Sequence, residues 1–351
     1  SLVASILAEA NLDPTFVIGG RLASVDANAR LGAGRYLVAE ADESDASFLH
    51  LQPMIAVVTN VDADHLVAYE GDIDRLKQGF LEFLHNLPFY GVAVMCSDDA
   101  NARELIPEVG RRVVSYGLGE RADVRGSELK PEGLATRFTL EHPAFSGAEE
   151  FLLNLPGRHN VLNAMAAIAV AVELGVEIDA IRSALAGFSG IDRRLQVLDT
   201  VETDVGHVLF VDDYGHHPTE IEATLAAAAT AWPDRRLVVV FQPHRFTRTH
   251  ELFDDFAQVL SACDALLLLP VYSAGEEPIS GADSRSLARA IRARGSVEPV
   301  LVDDLEALPD VLGNILQSND VVLTLGAGSI GAAATGLPDA LRARRPIGVK
   351  A

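Results

Sequence analysis

An α/β fold with largely parallel sheets is predicted by three observations. Apolar, β-branched runs alternate with helix-period segments almost throughout, the pattern of strand–helix units around a parallel sheet. Polar clusters stand directly after several of these runs, where open α/β sheets gather their ligand groups. At 351 residues, 49% of them hydrophobic, the chain is also long enough for two domains with their own cores.

The elements follow in order. Residues 1–10 form an amphipathic helix, then apolar runs predict strands at 36–40, 55–60 and 92–96, with a helix at 74–86 between the last two. Residues 117–156 break the alternation with Gly- and charge-rich stretches and short alternating pieces at 135–140 and 151–155, which read as an antiparallel insertion. Helices at 160–174 and 178–186 come next. The sequence Gly187-Phe188-Ser189-Gly190 then interrupts before a fresh strand, so a domain boundary is expected there, with domains at 1–188 and 189–351. In the second domain, strands at 207–212, 236–241, 265–270 and 320–325 alternate with helices at 218–231, 250–261, 284–293 and 329–342. Pro218 suits the first turn of its helix.

Composition narrows the function. No apolar stretch approaches the roughly 20 residues of a membrane span, and the start shows neither basic leader nor cleavage site, so a soluble, unexported, cytoplasmic protein is expected. Cys96 and Cys263 are the only cysteines, in no metal or redox spacing, which suits a reducing compartment. The formal charge of −22 would repel a nucleic-acid backbone.

Residues 212–217, Asp-Asp-Tyr-Gly-His-His, pack two carboxylates, a phenol and two imidazoles behind the apolar run Val208 to Val211. Capping the next helix needs one such side chain, not five, so the segment reads as a site. Glu40-Ala-Asp42-Glu43-Ser-Asp45 and Thr59-Asn60-Val-Asp62-Ala-Asp64-His65 also end apolar runs. If those strands are parallel neighbours, Glu40 and His65 share a rim, a donor set for Mg²⁺ or Mn²⁺ bound together with phosphates; helix capping and a core histidine are the alternatives. In Pro156-Gly157-Arg158-His159-Asn160-Val-Leu-Asn163, Asn160 and Asn163 share a helix face at i, i+3 and either read a nucleotide or satisfy local backbone. Arg193 and Arg194 are placed to reach a phosphate or to remain solvated charges. His244, Arg245 and Arg248 converge at the end of strand 236–241 and imply an acidic small-molecule substrate. Gly326-Ala-Gly328-Ser-Ile-Gly331 matches a dinucleotide fingerprint, but no second strand with an acidic residue about twenty positions on fits before Ala351, so tight helix packing or close approach of a substrate at a helix N-terminus is the better account.

Together, the segments at 40–49, at 86–91 (Asn-Leu-Pro-Phe-Tyr-Gly), at 156–160 (Pro-Gly-Arg-His-Asn), at 212–220 (Asp-Asp-Tyr-Gly-His-His-Pro-Thr-Glu) and at 241–249 (Phe-Gln-Pro-His-Arg-Phe-Thr-Arg-Thr) resemble the Mur ligase family. Within it they are most similar to the ligases that add L-alanine to UDP-N-acetylmuramate in peptidoglycan synthesis. The resemblance runs from residue 1 to about 342. It implies a central ATPase-type parallel-sheet domain over 1–188, incomplete here, followed by a Rossmann-like α/β carboxyl-terminal domain over 189–351. The implied reaction is ATP-dependent: the lactyl carboxylate of UDP-N-acetylmuramate becomes an acyl phosphate that L-alanine attacks.

By position the resemblance implies Glu40 and His65 as residues of a magnesium (or manganese) site. Asn160, Asn163, Arg194, Asp213 and Tyr214 become ATP-contacting groups, and His216, His217, His244, Arg245 and Arg248 face the substrates. His217, Arg194 and Asp213 are the implied catalytic set. A cousin that recycles muropeptides carries Ala before the His pair, so Gly215 favours the alanine-adding ligases. Two departures stand out. The family's phosphate loop, Gly-Thr-His-Gly-Lys-Thr-Thr, has no counterpart, because Lys77, Lys130 and Lys350 follow Leu76, Leu129 and Val349. Ser1 aligns just after that loop, so the loop and the amino-terminal uridine-nucleotide domain are expected to be missing, and the chain inactive alone. Val67 also stands where the family usually shows Asp. A non-catalytic nucleotide- or substrate-binding remnant and a muropeptide-recycling ligase are the alternative readings.

Overall fold

The computed structural model describes residues 1–23, 25–63 and 66–343 and divides the chain into two compact units, Ser1–Ile191 and Asp192–Ala351. In the first unit, α1 (Leu2–Glu9) precedes a small sheet of β1 (Thr15–Leu22), β2 (Ala27–Arg30) and β3 (Leu37–Ala39), in the order β2-β1-β3. The larger sheet runs β4 (Ile55–Val58), β5 (Val92–Cys96), β6 (Arg112–Gly117), β7 (Val124–Glu132), β8 (Ala135–Glu141), β9 (Glu149–Leu153), with β4 to β7 parallel and β7 to β9 antiparallel. Between and after them lie α2 (Ile73–His85), α3 (Ala100–Leu105), α4 (Arg158–Glu173) and α5 (Ile178–Ala186).

All five residues of β5 are buried, because it lies inside a sheet covered on both faces, so its run reads as continuously apolar. On α4, the stretch Ala164 to Ala171 is buried throughout, and its small side chains let the helix lie close against the sheet. Each large side chain removed from water here, such as Phe138 or Phe151, contributes roughly 1.5–3 kcal/mol.

Three expectations are corrected. Strand 36–40 does not join strand 55–60: β3 pairs in parallel with β1, in another sheet from β4. Its partner β1 was not among the expected strands, and both its glycines lie close against neighbours. A Cβ on Gly19 would lie 2.9 Å from Glu40 Oε1, and one on Gly20 would lie 2.6 Å from Ile191 Cγ2. Second, the pieces of 117–156 are antiparallel as expected, but rather than an insertion they complete the larger sheet as β7 to β9. Third, the helix expected at 250–261 is broken at Leu252, where ψ is 27°.

The second unit comprises β10 (Gln196–Thr203), β11 (Gly206–Asp213), α6 (Pro218–Ala231), β12 (Leu237–Phe241), α7 (Phe246–Glu251), α8 (Phe253–Val259), β13 (Ala265–Leu268), α9 (Ser284–Arg294), β14 (Val300–Leu301), α10 (Leu308–Ile315), β15 (Val321–Leu325) and α11 (Ile330–Ala343). Its sheet has the order β10-β11-β15-β12-β13-β14, parallel except for the edge strand β10. Because β15 returns to lie between β11 and β12, the carboxyl ends of three strands stand side by side: Asp213 and Phe241 both pair with Leu325. That is where an open α/β sheet forms its binding crevice. Among the described residues no helix is long and apolar enough to cross a membrane.

Candidate active site

The strand ends of the second unit carry a polar network that is mostly buried. Asp212, 1% exposed, accepts from Arg193 Nε at 2.7 Å and from Thr324 Oγ1 at 2.6 Å. Burial pushes its carboxyl above the ordinary range, while Arg193 and Thr324 act against that rise. Arg193 also donates to the Gly326 carbonyl at 2.6 Å and lies 5.0 Å from the centre of the Tyr214 ring. One guanidinium thus ties the start of the unit to the ends of β11 and β15.

This clamp accounts for the glycine pattern at 326–331. A Cβ on Gly331 would lie 2.2 Å from Arg193 Cζ, and one on Gly328 would lie 2.6 Å from Gln242 Oε1. The glycines admit Arg193 and Gln242 rather than a pyrophosphate. Buried Gln242 in turn accepts from the Ile330 backbone at 2.9 Å and donates to Ser329 at 3.1 Å.

Asp213 turns inward, 4% exposed. Its two oxygens accept the backbone N–H groups of Leu195 and Gly215, both at 2.7 Å, and burial raises its carboxyl. A Cβ on Gly215 would lie 2.9 Å from Asp213 Oδ1, so a larger residue there would press on that carboxylate. Asp213 therefore shapes the loops that carry Arg194 and Tyr214. Arg194 itself is half-exposed, 3.3 Å from Glu220 Oε1 and 5.7 Å from the Tyr214 ring centre.

His217 is the N-cap of α6, buried, and forms a capping box with Glu220. His216 is the more accessible of the two histidine side chains to the neighbouring groups: its ring meets Tyr214 at 5.2 Å and His244 at 5.7 Å, both edge-on. His244 stacks on Tyr272 at 5.6 Å with 11° between ring planes, and lies 3.5 Å from Arg248 Nη1. Burial, with His216, Arg248 and Arg245 acting the same way, pushes the His244 imidazole down to about 4, so it is neutral at physiological pH. Of the three groups that sequence grouped as cationic, Arg245 and Arg248 carry the charge. Arg248 is buried at 8% exposure, and Arg245 holds a positive φ of 70° as N-cap of α7, where its N–H donates to the Tyr272 carbonyl at 2.9 Å. Glu276 accepts both the Thr247 N–H (3.0 Å) and hydroxyl (2.7 Å), which fixes the start of that helix.

In the first unit the predicted groups are less gathered. Glu40 is exposed, with Oε2 accepting the Gly19 N–H at 2.9 Å. His65 lies outside the described residues, and β3 and β4 belong to different sheets, so the shared rim expected for Glu40 and His65 does not arise from neighbouring strands. Among the described residues no group of three or more His, Cys, Asp and Glu side chains stands together as a metal cage. Asn160 donates to the Pro156 carbonyl at 2.8 Å, a local bracing bond, whereas Asn163 one turn on is exposed. Gly157, with φ of 96°, opens α4, and Arg158 pairs with Asp98 at 2.6 Å.

The sequence reading gave no role to Asp212 as an anchor, to Arg193 as the inward member of its pair, or to Glu220 and Gln242, which it quoted only within motifs. The capping spacing His217 to Glu220 was the signal available for Glu220.

Comparison with known proteins adds to this geometry. Residues 21–171 match the domain described as "Mur ligase middle domain", and residues 193–328 match "Mur ligase, glutamate ligase domain". The chain is 59% identical over 343 residues to the UDP-N-acetylmuramate--L-alanine ligase of Methylococcus capsulatus, a match that covers 97% of this chain and 72% of that protein. It is 60% identical over 338 residues to the protein of the same name from Halorhodospira halophila, covering 96% of this chain and 68% of the other. Among solved structures, the UDP-N-acetylmuramate-alanine ligase MurC of Thermotoga maritima superposes with a TM-score of 0.79 at 27% identity, covering 96% of this chain and 71% of that one.

Proposed function

This chain belongs to the Mur ligase family, and we propose that its reaction is the ATP-dependent ligation of L-alanine to the lactyl carboxylate of UDP-N-acetylmuramate, a step of peptidoglycan synthesis. It is an amide-bond-forming ligase. The observation that carries the reading is the 59–60% identity, over 96–97% of this chain, to proteins named UDP-N-acetylmuramate--L-alanine ligase.

The chemistry explains why ATP is consumed. A carboxylate is inert to amines until one oxygen becomes a leaving group, and phosphorylation by ATP supplies that group as an acyl phosphate. Attack by the alanine amine then forms the C–N bond and releases phosphate. Arg245 and Arg248, held at the end of β12, suit the carboxylate and phosphate charges of such substrates. Neutral His244 packs beside them as a hydrogen-bonding group rather than a third cation. Arg194 and Tyr214, held in place by Asp213, together with Asn160 and Asn163 of the first unit, are assigned to ATP.

Glu40 offers one hard oxygen beyond the one taken by Gly19, which fits Mg²⁺, an ion commonly bound through one or two carboxylates plus substrate phosphates. Glu40 would hold it, and its charge would offset that of the phosphates; His65, assigned to the same site, lies outside the described residues. The cytoplasm is the compartment this reading implies, and UDP-N-acetylmuramate and L-alanine are the partners it calls for.

The test is ADP release by the full-length gene product with UDP-N-acetylmuramate plus L-alanine, compared with UDP-N-acetylmuramate plus the stem tripeptide. Alanine-dependent release supports the assignment. Preference for tripeptide would move it to the recycling ligases, and binding without turnover to a non-catalytic module.

A further inference from the structure

The Glu220 carboxylate collects donors from both sides of the candidate site. Its Oε2 accepts the backbone N–H groups of His216 at 3.0 Å and His217 at 3.3 Å and lies 3.2 Å from His216 Nδ1, while Oε1 lies 3.3 Å from Arg194 Nη1. The His216 Nδ1 atom has a second close oxygen, the Tyr214 carbonyl at 3.2 Å. Both oxygens are acceptors. A hydrogen on Nδ1 satisfies them, whereas a lone pair there would face two sites of negative charge. Neutral His216 is therefore the Nδ1–H tautomer, and its basic lone pair resides on Nε2. A carboxylate that orients an imidazole in this way is the arrangement by which enzymes prepare a general base.

Resting on the ligase reading above, we propose that His216 is the base that deprotonates the incoming amine and that Glu220 is its positioning residue. The ammonium nitrogen of L-alanine gives one proton to His216 Nε2 and keeps the electron pair. That pair forms the C–N bond to the acyl carbon, the C–O bond to phosphate breaks with its electrons going to the phosphate oxygen, and the departing phosphate takes the second proton from nitrogen. The two other histidines nearby are poorer bases. His217 is committed to the cap of α6, and His244 binds a proton only near pH 4. Among the groups facing His216 are Glu220 with Arg194 beyond it, Tyr214 on the same loop, and His244 with Arg248 beside it.

Nitrogen NMR of the imidazoles in residues 1–351 reads the tautomer directly, with His216→Gln used to assign the signal. Nδ1–H is the expected result, and Nε2–H overturns the inference whatever the substrate proves to be. In Glu220→Gln the amide oxygen still caps α6 but the charge facing Nδ1 is gone, so the preference for the Nδ1–H tautomer weakens. In the full-length gene product the same variant is expected to lower kcat by about 100-fold, with KM for L-alanine changed by less than about threefold. His216→Gln should match that loss, and the double variant should add little to it. An unchanged kcat in either single variant contradicts the proposal. Failure of alanine-dependent turnover in the unmodified protein would instead sink the ligase reading and leave the tautomer result standing.

Discussion

The two units treat their polar groups in opposite ways. In the second, the strand ends are held by buried, mutually satisfied groups: Asp212 by Arg193 and Thr324, Asp213 by two backbone N–H groups, Gln242 by β15 and α11. In the first, Glu40 and Asn163 stand exposed, and Asn160 is spent on a local carbonyl. The difference teaches that a pre-built site declares itself by the groups behind it. The arginine and histidine side chains of the second unit's site are oriented before any ligand arrives, whereas Glu40 and Asn163 have fewer partners to fix them. Preorganisation of that kind is what electrostatic catalysis requires.

The contrast can be broken at its strongest point first. Arg193→Ala leaves Asp212 buried without its cation, and is expected to destabilise the second unit by about 3 kcal/mol. Denaturant unfolding followed at Trp232, the chain's sole tryptophan and a residue of that unit, should show an earlier midpoint. A loss below about 0.5 kcal/mol would mean the clamp is ornamental. Gly331→Ala should cost somewhat less, about 1–3 kcal/mol, because a Cβ there collides with the same guanidinium. Combined with Arg193→Ala it should cost much less than it does alone, since the clash has been removed.

A gentler probe is pH. His244 binds its proton near pH 4 in the folded chain against 6.5 for an ordinary histidine. The unfolded chain therefore takes up the proton first, and this contribution to stability is complete above about pH 6.5 and lost as pH falls towards about 4. The thermal midpoint should decline over that window, and His244→Gln should flatten the decline. In the first unit, Asn160→Ala should cost only about 1 kcal/mol, the worth of one hydrogen bond. Asn163→Ala should leave the midpoint unchanged while weakening ATP binding in the full-length gene product. A large stability loss for Asn163→Ala would erase the distinction between the units.

The α/β class was legible because strands and helices leave different periodicities, and the polar clusters because they follow apolar runs. β1 was not legible; its glycines admit Glu40 and Ile191, which lie elsewhere in the chain. The break at Leu252 was hidden as well. The helix starts early at Phe246, where Glu276 fixes Thr247 from a loop far along the chain. The site divides in the same way. His216, Arg245 and Arg248 were visible as chemistry gathered at strand ends. Their supports were not, since Arg193 meets Asp212 and Gly326 only after the chain has returned 19 and 133 residues later. Local spacing identifies reactive groups; what holds them in place comes from distant contacts.

The central claim is that a carboxylate oxygen leaves with phosphate while an amine takes its place. Full-length gene product supplied with ATP, L-alanine and UDP-N-acetylmuramate carrying ¹⁸O in its lactyl carboxylate should transfer one labelled oxygen to the released phosphate for every amide formed. Phosphate free of label, with amide still produced, would contradict the account.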